Sequence, residues 1–163
     1  MPPRRHATIS RDGKYRYRLG RQWGASSPMT FVMLNPSTAD AEKDDPTIRR
    51  CMGFARREQC GGIIVVNLFP LRVTRPVHLF DGTVGDADNG DNLRYVSQAV
   101  WTAQDEGAPV VAAWGAFKSP SRSAAWRWIA RRQGSILCLG KTADGSPRHP
   151  LYVRADAPLE VWP

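Results

Sequence analysis

The chain has 163 residues, 42% of them hydrophobic and six of them tryptophan, enough for one domain with a real core. No apolar run approaches the roughly 18 residues of a membrane helix, and the opening Met-Pro-Pro-Arg-Arg-His lacks the apolar stretch of a secretory signal. A net charge of +8, with arginine supplying most of the 23 basic residues, suggests a polyanionic partner, nucleic acid first.

Three cysteines, Cys51, Cys60 and Cys138, form no Cys-x-x-Cys pair, which suits reduced thiols in the cytoplasm rather than a disulfide framework or a metal site. Residues 7 to 23 read as a hairpin turning at Asp12-Gly13. Tyr15, Tyr17 and Leu19 alternate with Arg16 and Arg18, so one face should pack while the other presents guanidinium groups to a phosphate backbone. Phe31-Val32-Met33-Leu34 is short and apolar, a strand buried on both faces, and it stops at Asn35-Pro36. Ser37, Thr38 and Asp40 continue as a turn.

Asp44 or Asp45 caps a helix over residues 46 to 59, with Pro46 in its first turn. Ile48, Cys51, Met52 and Ala55 form its apolar stripe, and Gly61-Gly62 should end it. A second buried strand, Ile63-Ile64-Val65-Val66, closes in Asn67. The proline-rich run 68 to 76 and an acidic loop over 81 to 91 follow. That loop lacks the closing glutamate of a calcium site. A helix over 91 to 106 turns Leu93, Val96, Val100 and Ala103 inward. Strands at 109–115, ending in Trp114-Gly115, and at 136–140 flank a helix over 121 to 132. Strands alternating with helices predict a three-layer α/β/α sandwich around a mainly parallel sheet, with all of residues 1–163 in one domain.

Asn35, Asn67, Trp114-Gly115 and His149 then lie at strand ends or in the loops beside them. In a parallel sheet those ends share one edge, where α/β proteins bind ligands. Taken whole, the chain resembles an uncharacterised bacterial and phage family marked by Leu-Asn-Pro-Ser-x-Ala-Asp, Asp-Asp-Pro-Thr, Asn-Leu-Phe-x-Leu-Arg-x-Thr, Ala-Trp-Gly and His-Pro-Leu-Tyr, all present here in order. More distantly, Asn35-Pro36, Asn67, Trp114-Gly115 and His149-Pro150-Leu151 resemble landmarks of the uracil-DNA glycosylase superfamily.

That resemblance implies a glycosylase-like fold and hydrolysis of the N-glycosidic bond of an altered base in DNA, in repair or anti-phage defence, by a monomer without cofactor or metal. Asn35 would orient water, Asn67 would read the flipped base, and His149 would donate to a carbonyl oxygen. Pro36, Ser37, Trp114 and Gly115 would line the base pocket, with Phe69 as a stacking platform. Leu151 would wedge into the duplex, and Arg16, Arg18, Arg72, Arg122 and Arg148 would hold DNA. Asn35 cannot take a proton, so Asp44 or Asp45 is the candidate water activator. A non-catalytic nucleic-acid-binding module, or an enzyme on free nucleotides or RNA, are the alternatives.

Overall fold

The computed structural model describes residues 2–116 and 134–162. The expected helix over 121 to 132, and Arg122 with it, lies outside them. The elements run β1 (Arg4–Ile9), β2 (Arg16–Gln22), β3 (Met29–Met33), α1 (Pro46–Arg57), β4 (Gly62–Asn67), α2 (Asn92–Asp105), β5 (Val110–Ala112), β6 (Leu137–Cys138) and β7 (Glu160–Val161), with short 3-10 turns at Pro76–Leu79 and Pro150–Tyr152. All seven strands join one sheet in the order β1-β2-β4-β3-β5-β6-β7.

The protein is a mixed α/β structure, and its sheet is not mainly parallel as the alternation of strands and helices suggests. The four strands β4, β3, β5 and β6 run parallel. The β1-β2 hairpin, however, docks antiparallel along β4, pairing Leu19 with Val65 and Gln22 with Gly62. At the other edge β7, which the sequence pattern does not reveal, pairs antiparallel with β6. Antiparallel ladders thus carry more of the paired residues than parallel ones.

Successive residues of a strand point to opposite faces, and here they feed two cores. Val32, Ile64, Val66, Val110 and Ala112 meet Val96, Val100 and Ala103 of α2. Phe31, Met33, Ile63, Val65, Val111 and Ala113 meet Ile48, Cys51, Met52 and Ala55 of α1. The two described helices therefore cover opposite faces. Leu93 does not join the core: it is 48% exposed, because the buried stripe of α2 runs through Asn92, Val96, Val100 and Ala103. All three thiols are free and buried.

The end of α1 also departs from expectation. Gln59, not a glycine, takes the left-handed conformation at φ 59°. Gly61 is instead needed for close approach, since a Cβ there would stand 2.8 Å from the Gly24 carbonyl oxygen.

The hairpin is where simple alternation fails. Thr8 pairs with Arg18 but Ile9 pairs with Arg16, so Tyr17 is an extra residue on β2, a β-bulge. The bulge sends Tyr17 to stack on Tyr95 of α2, at 4.9 Å, while Leu19 keeps to the α1 face. Arg16 and Arg21 end up 2% and 1% exposed. The expected outward guanidinium face of β2 is largely turned inward.

Arg21 is compensated in full. Its Nε meets Asp44 Oδ1 at 2.8 Å, and its other donors reach the carbonyl oxygens of Gly20, Asp40 and Lys43. Asp44 also takes Arg5, at 3.1 Å. Removing one partner of a buried pair strands the other charge. Asp44→Ala should therefore cost about 3 kcal/mol or more in urea unfolding, whereas Asp156→Ala, which breaks the exposed pair with Arg154, should leave the urea midpoint nearly unchanged.

Candidate functional site

The C-terminal ends of β3, β4 and β5 open into a cleft of about 610 Å³. Its walls include Asn35, Ser37, Asp45, Asn67, Trp114, Gly115, Arg148, His149 and Leu151, so most of the residues singled out in sequence converge there. Backbone bonds beyond the strands hold them in register: Leu68 donates to Met33 O, Phe69 to Leu34 O, and Ala113 to Val32 O. Gly115, at φ +76°, donates to Pro147 O at 2.9 Å, tying the Trp-Gly turn to the His-Pro loop.

Asn67 carries the sharpest signal. It is 1% exposed, and neither its Nδ2 nor its Oδ1 has a hydrogen-bond partner among the described residues. Each unmade bond of a buried polar atom costs about 1–3 kcal/mol. Its backbone, by contrast, is anchored, because Asn92 at the start of α2 donates to Asn67 O at 2.7 Å. Asn92 is a positioning residue that sequence reasoning missed, since an asparagine opening a helix looks like an ordinary start signal.

Asn35 is half-buried, and its Nδ2 donates to Pro36 O at 2.9 Å and to Val73 O at 2.7 Å. Two carbonyl partners fix the amide orientation, leaving Oδ1 as the free acceptor. His149 is also half-buried, and its Nδ1 accepts from Leu151 N at 3.2 Å. The neutral ring must then carry its proton on Nε2, as a donor. Burial lowers its pKa below 6.5, opposed by the Asp45 charge, so the neutral form is favoured.

The two aspartates divide. Asp45 lines the cleft and caps α1, accepting from Ile48 N at 2.9 Å and from Ala39 N at 3.3 Å. Asp44 is turned away, bound to Arg21 and Arg5, so it is a structural anchor and not a water activator. Phe69 is 5% exposed and packs edge-on against Phe80 at 5.0 Å in the α2-side core, which removes it as a stacking platform. Pro36 is buried behind the wall, where its carbonyl accepts from Val73 N.

The arginines are redistributed as well. Arg72 braces the Ser37-Thr38 turn, donating to Gly13 O at 3.1 Å and lying 3.4 Å from Ser37 O. Arg18 faces α2 beside Tyr95, away from the cleft. Arg148 is exposed at the rim, and Leu151 and Tyr152 beside it are 41% and 79% exposed. Arg16, expected on the DNA-facing surface, lines the cleft from inside. No sequence signal marks this, because the bulge that turns it inward has none. Among the described residues no group of three or more His, Cys, Asp or Glu could hold a metal ion, and no helix is long and apolar enough to cross a membrane.

This is a mixed α/β protein with a largely apolar cleft, set with a few polar side chains, at the carboxyl edge of its parallel strands. The chain belongs to the family described as "Protein of unknown function (DUF1643)", whose sequence model matches residues 16–151. No curated protein and no solved structure matches it.

Two outcomes follow from this geometry. Asn67→Leu, which replaces both bare polar atoms by methyl groups on the same branched frame, should raise the melting temperature of the unliganded protein wherever the cleft takes up the added bulk, and a fall in Asn67→Ala and Asn67→Leu alike would mean the amide is satisfied. For His149 the folded pKa lies below its unfolded value of 6.5, so as pH drops through 6.5 the unfolded chain takes the proton first. Stability should therefore fall with pH below 6.5 until the folded pKa is passed. Urea midpoints of wild type and His149→Asn, compared between pH 8 and 5, should diverge only on that acid side.

Proposed function

We propose that the chain is an N-glycosyl hydrolase that takes an altered or non-standard base of DNA, turned out of its stack, into this cleft. The observation that carries the reading is the Asn67 side chain, buried at a strand end with both hydrogen-bonding atoms unused. A base edge presenting an acceptor beside a donor satisfies both atoms at once.

The neighbouring groups suit the chemistry. Hydrolysis adds water to the sugar carbon, breaks the bond to the base nitrogen and leaves the electron pair on the base. His149 Nε2–H is a donor for a base carbonyl oxygen as that charge develops, an interaction worth about 3 kcal/mol in comparable sites. Asn35 Oδ1 can orient the water but cannot take its proton. Asp45 keeps lone pairs beyond its two amide bonds and is the carboxylate able to do so. Leu151 and Tyr152, exposed at the rim, are suited to filling the gap a flipped base leaves. The same reading makes the fold a three-layer α/β/α sandwich of the uracil-DNA glycosylase kind, supported by helices on both sheet faces.

One observation favours a second reading, a nucleic-acid-binding module without catalysis: both oxygens of Asp45 already accept backbone amides. An abasic-site assay decides between the two. Duplexes and single strands carrying different altered bases would be incubated with the protein, then treated with alkali. We expect cleavage of at least one substrate, reduced by roughly 10²-fold or more in His149→Ala and Asp45→Ala. DNA bound but uncut across the panel would leave the binding module.

A further inference from the structure

We propose that Arg16 forms an oxyanion subsite inside the cleft, and that the ligand held there is a nucleotide phosphate, not a neutral base or nucleoside. The inference deepens the reading above and rests on it only for the base against Asn67.

Arg16 is a buried cation with no ion pair to any described residue, favoured only at longer range by the Asp45 charge. Arg16 is 2% exposed, and its one side-chain hydrogen bond goes from Nη1 to the Ala39 carbonyl oxygen at 2.8 Å. Among the described residues neither its Nε nor its Nη2 has a hydrogen-bond partner. Asp45 lines the same cleft, but its two oxygens are turned to the amides of Ile48 and Ala39, and it lies beyond ion-pair distance of the guanidinium. Arg21, five residues further along β2, has its carboxylate; Arg16 has none within ion-pair distance.

A guanidinium in that position costs free energy that a structural role does not require, since an apolar side chain would fill the space without it. Burial brings its pKa down to about 10, with Asp45 opposing and the Arg72 and Arg21 charges adding, so it is still a cation at neutral pH. The charges around the cleft favour an anion: Arg16 within, Arg148 at the rim and Arg72 behind the Ser37 turn, against Asp45. A planar fork with two free donors on one side fits two phosphate oxygens. The depth of Arg16 matters too. A phosphate sliding past the rim would meet Arg148, and only a nucleotide entering the cleft would reach Arg16. The volume of about 610 Å³ accommodates a base, a sugar and a phosphate together.

The phosphate could belong to a free mononucleotide or to a strand, and the test has an arm for each. Calorimetric titration would compare deoxynucleosides, their 5′-monophosphates, inorganic phosphate and a short single-stranded oligodeoxynucleotide with a 5′-phosphate. Wild type should bind a monophosphate about tenfold or more tighter than its nucleoside, and inorganic phosphate should compete. Arg16→Gln should abolish that preference, and Arg16→Lys, which keeps the charge but loses the fork, should retain part of it. A cooperative thermal melt checks that each variant is folded, and Arg16→Lys carries the test should Arg16→Gln not fold. Equal binding of nucleoside and monophosphate, a preference that survives loss of Arg16, or no phosphate-dependent binding would overturn the subsite. Base release without phosphate preference would leave the glycosylase reading standing alone. Phosphate preference without base release would do the reverse. A mononucleotide outbinding the oligonucleotide would identify the free nucleotide as the source.

Discussion

Parallel pairing of β3 with both β4 and β5 is the constraint on which the site depends. Parallel strands end on the same edge, so Asn35, Asn67 and Trp114, far apart in sequence, must come out side by side. The pairing does not stop where the strands do. Bonds from Leu68, Phe69 and Ala113 to Met33, Leu34 and Val32 carry the register one residue further, into the loops. Polar side chains on such extensions have little freedom to find partners of their own, which is how Asn67 can be both rigidly held and bare.

Four buried polar groups here are treated in opposite ways, and the contrast separates architecture from function. Arg21 has a carboxylate and three carbonyl oxygens, and Asn92 Nδ2 has the carbonyls of Asn67 and Leu68, with only the Asn92 Oδ1 left over. They fasten the hairpin and α2 to the loops around the cleft. Arg16 and Asn67 line that cleft with donors and acceptors unspent. A fold selected only for stability would satisfy or remove such groups. The same division runs between the neighbours Asp44 and Asp45, one an anchor facing Arg21, the other a helix cap whose remaining lone pairs belong to the cleft.

Much of this was legible in the chain. Apolar runs closed by asparagine marked β3 and β4 and their polar ends, and the aspartate pair Asp44-Asp45 before Pro46 marked the start of α1 without saying which of the two caps it, because these signals are local. What could not be read depends on longer-range effects. β7 has two residues, too few for any periodicity. Leu93 looked inward because one helical stripe was as good as its neighbour until the sheet chose. Phe69 followed Asn67 closely enough to suggest a stacking role, yet its step off the strand turns it into the α2-side core. The arginines of β2 defeated alternation altogether, since one extra residue in a strand reverses the face of everything on one side of it.

That reversal matters for how the positive charge is used. On an unbulged β2, Arg16 and Arg18 would share a face; on the real one they part, Arg18 toward α2 and Arg16 toward the cleft. The net charge of +8 therefore cannot be read as a single surface for a polyanion. Part of it is internal, neutralised by Asp44 at Arg21 and left open at Arg16. An interior cation beside a bare amide and a histidine held as an Nε2–H donor makes a cleft rich in donors, with acceptors supplied by Asn67 Oδ1, Asn35 Oδ1 and Asp45. Such a cleft is complementary to a ligand that carries negative charge at one end and both donor and acceptor at the other.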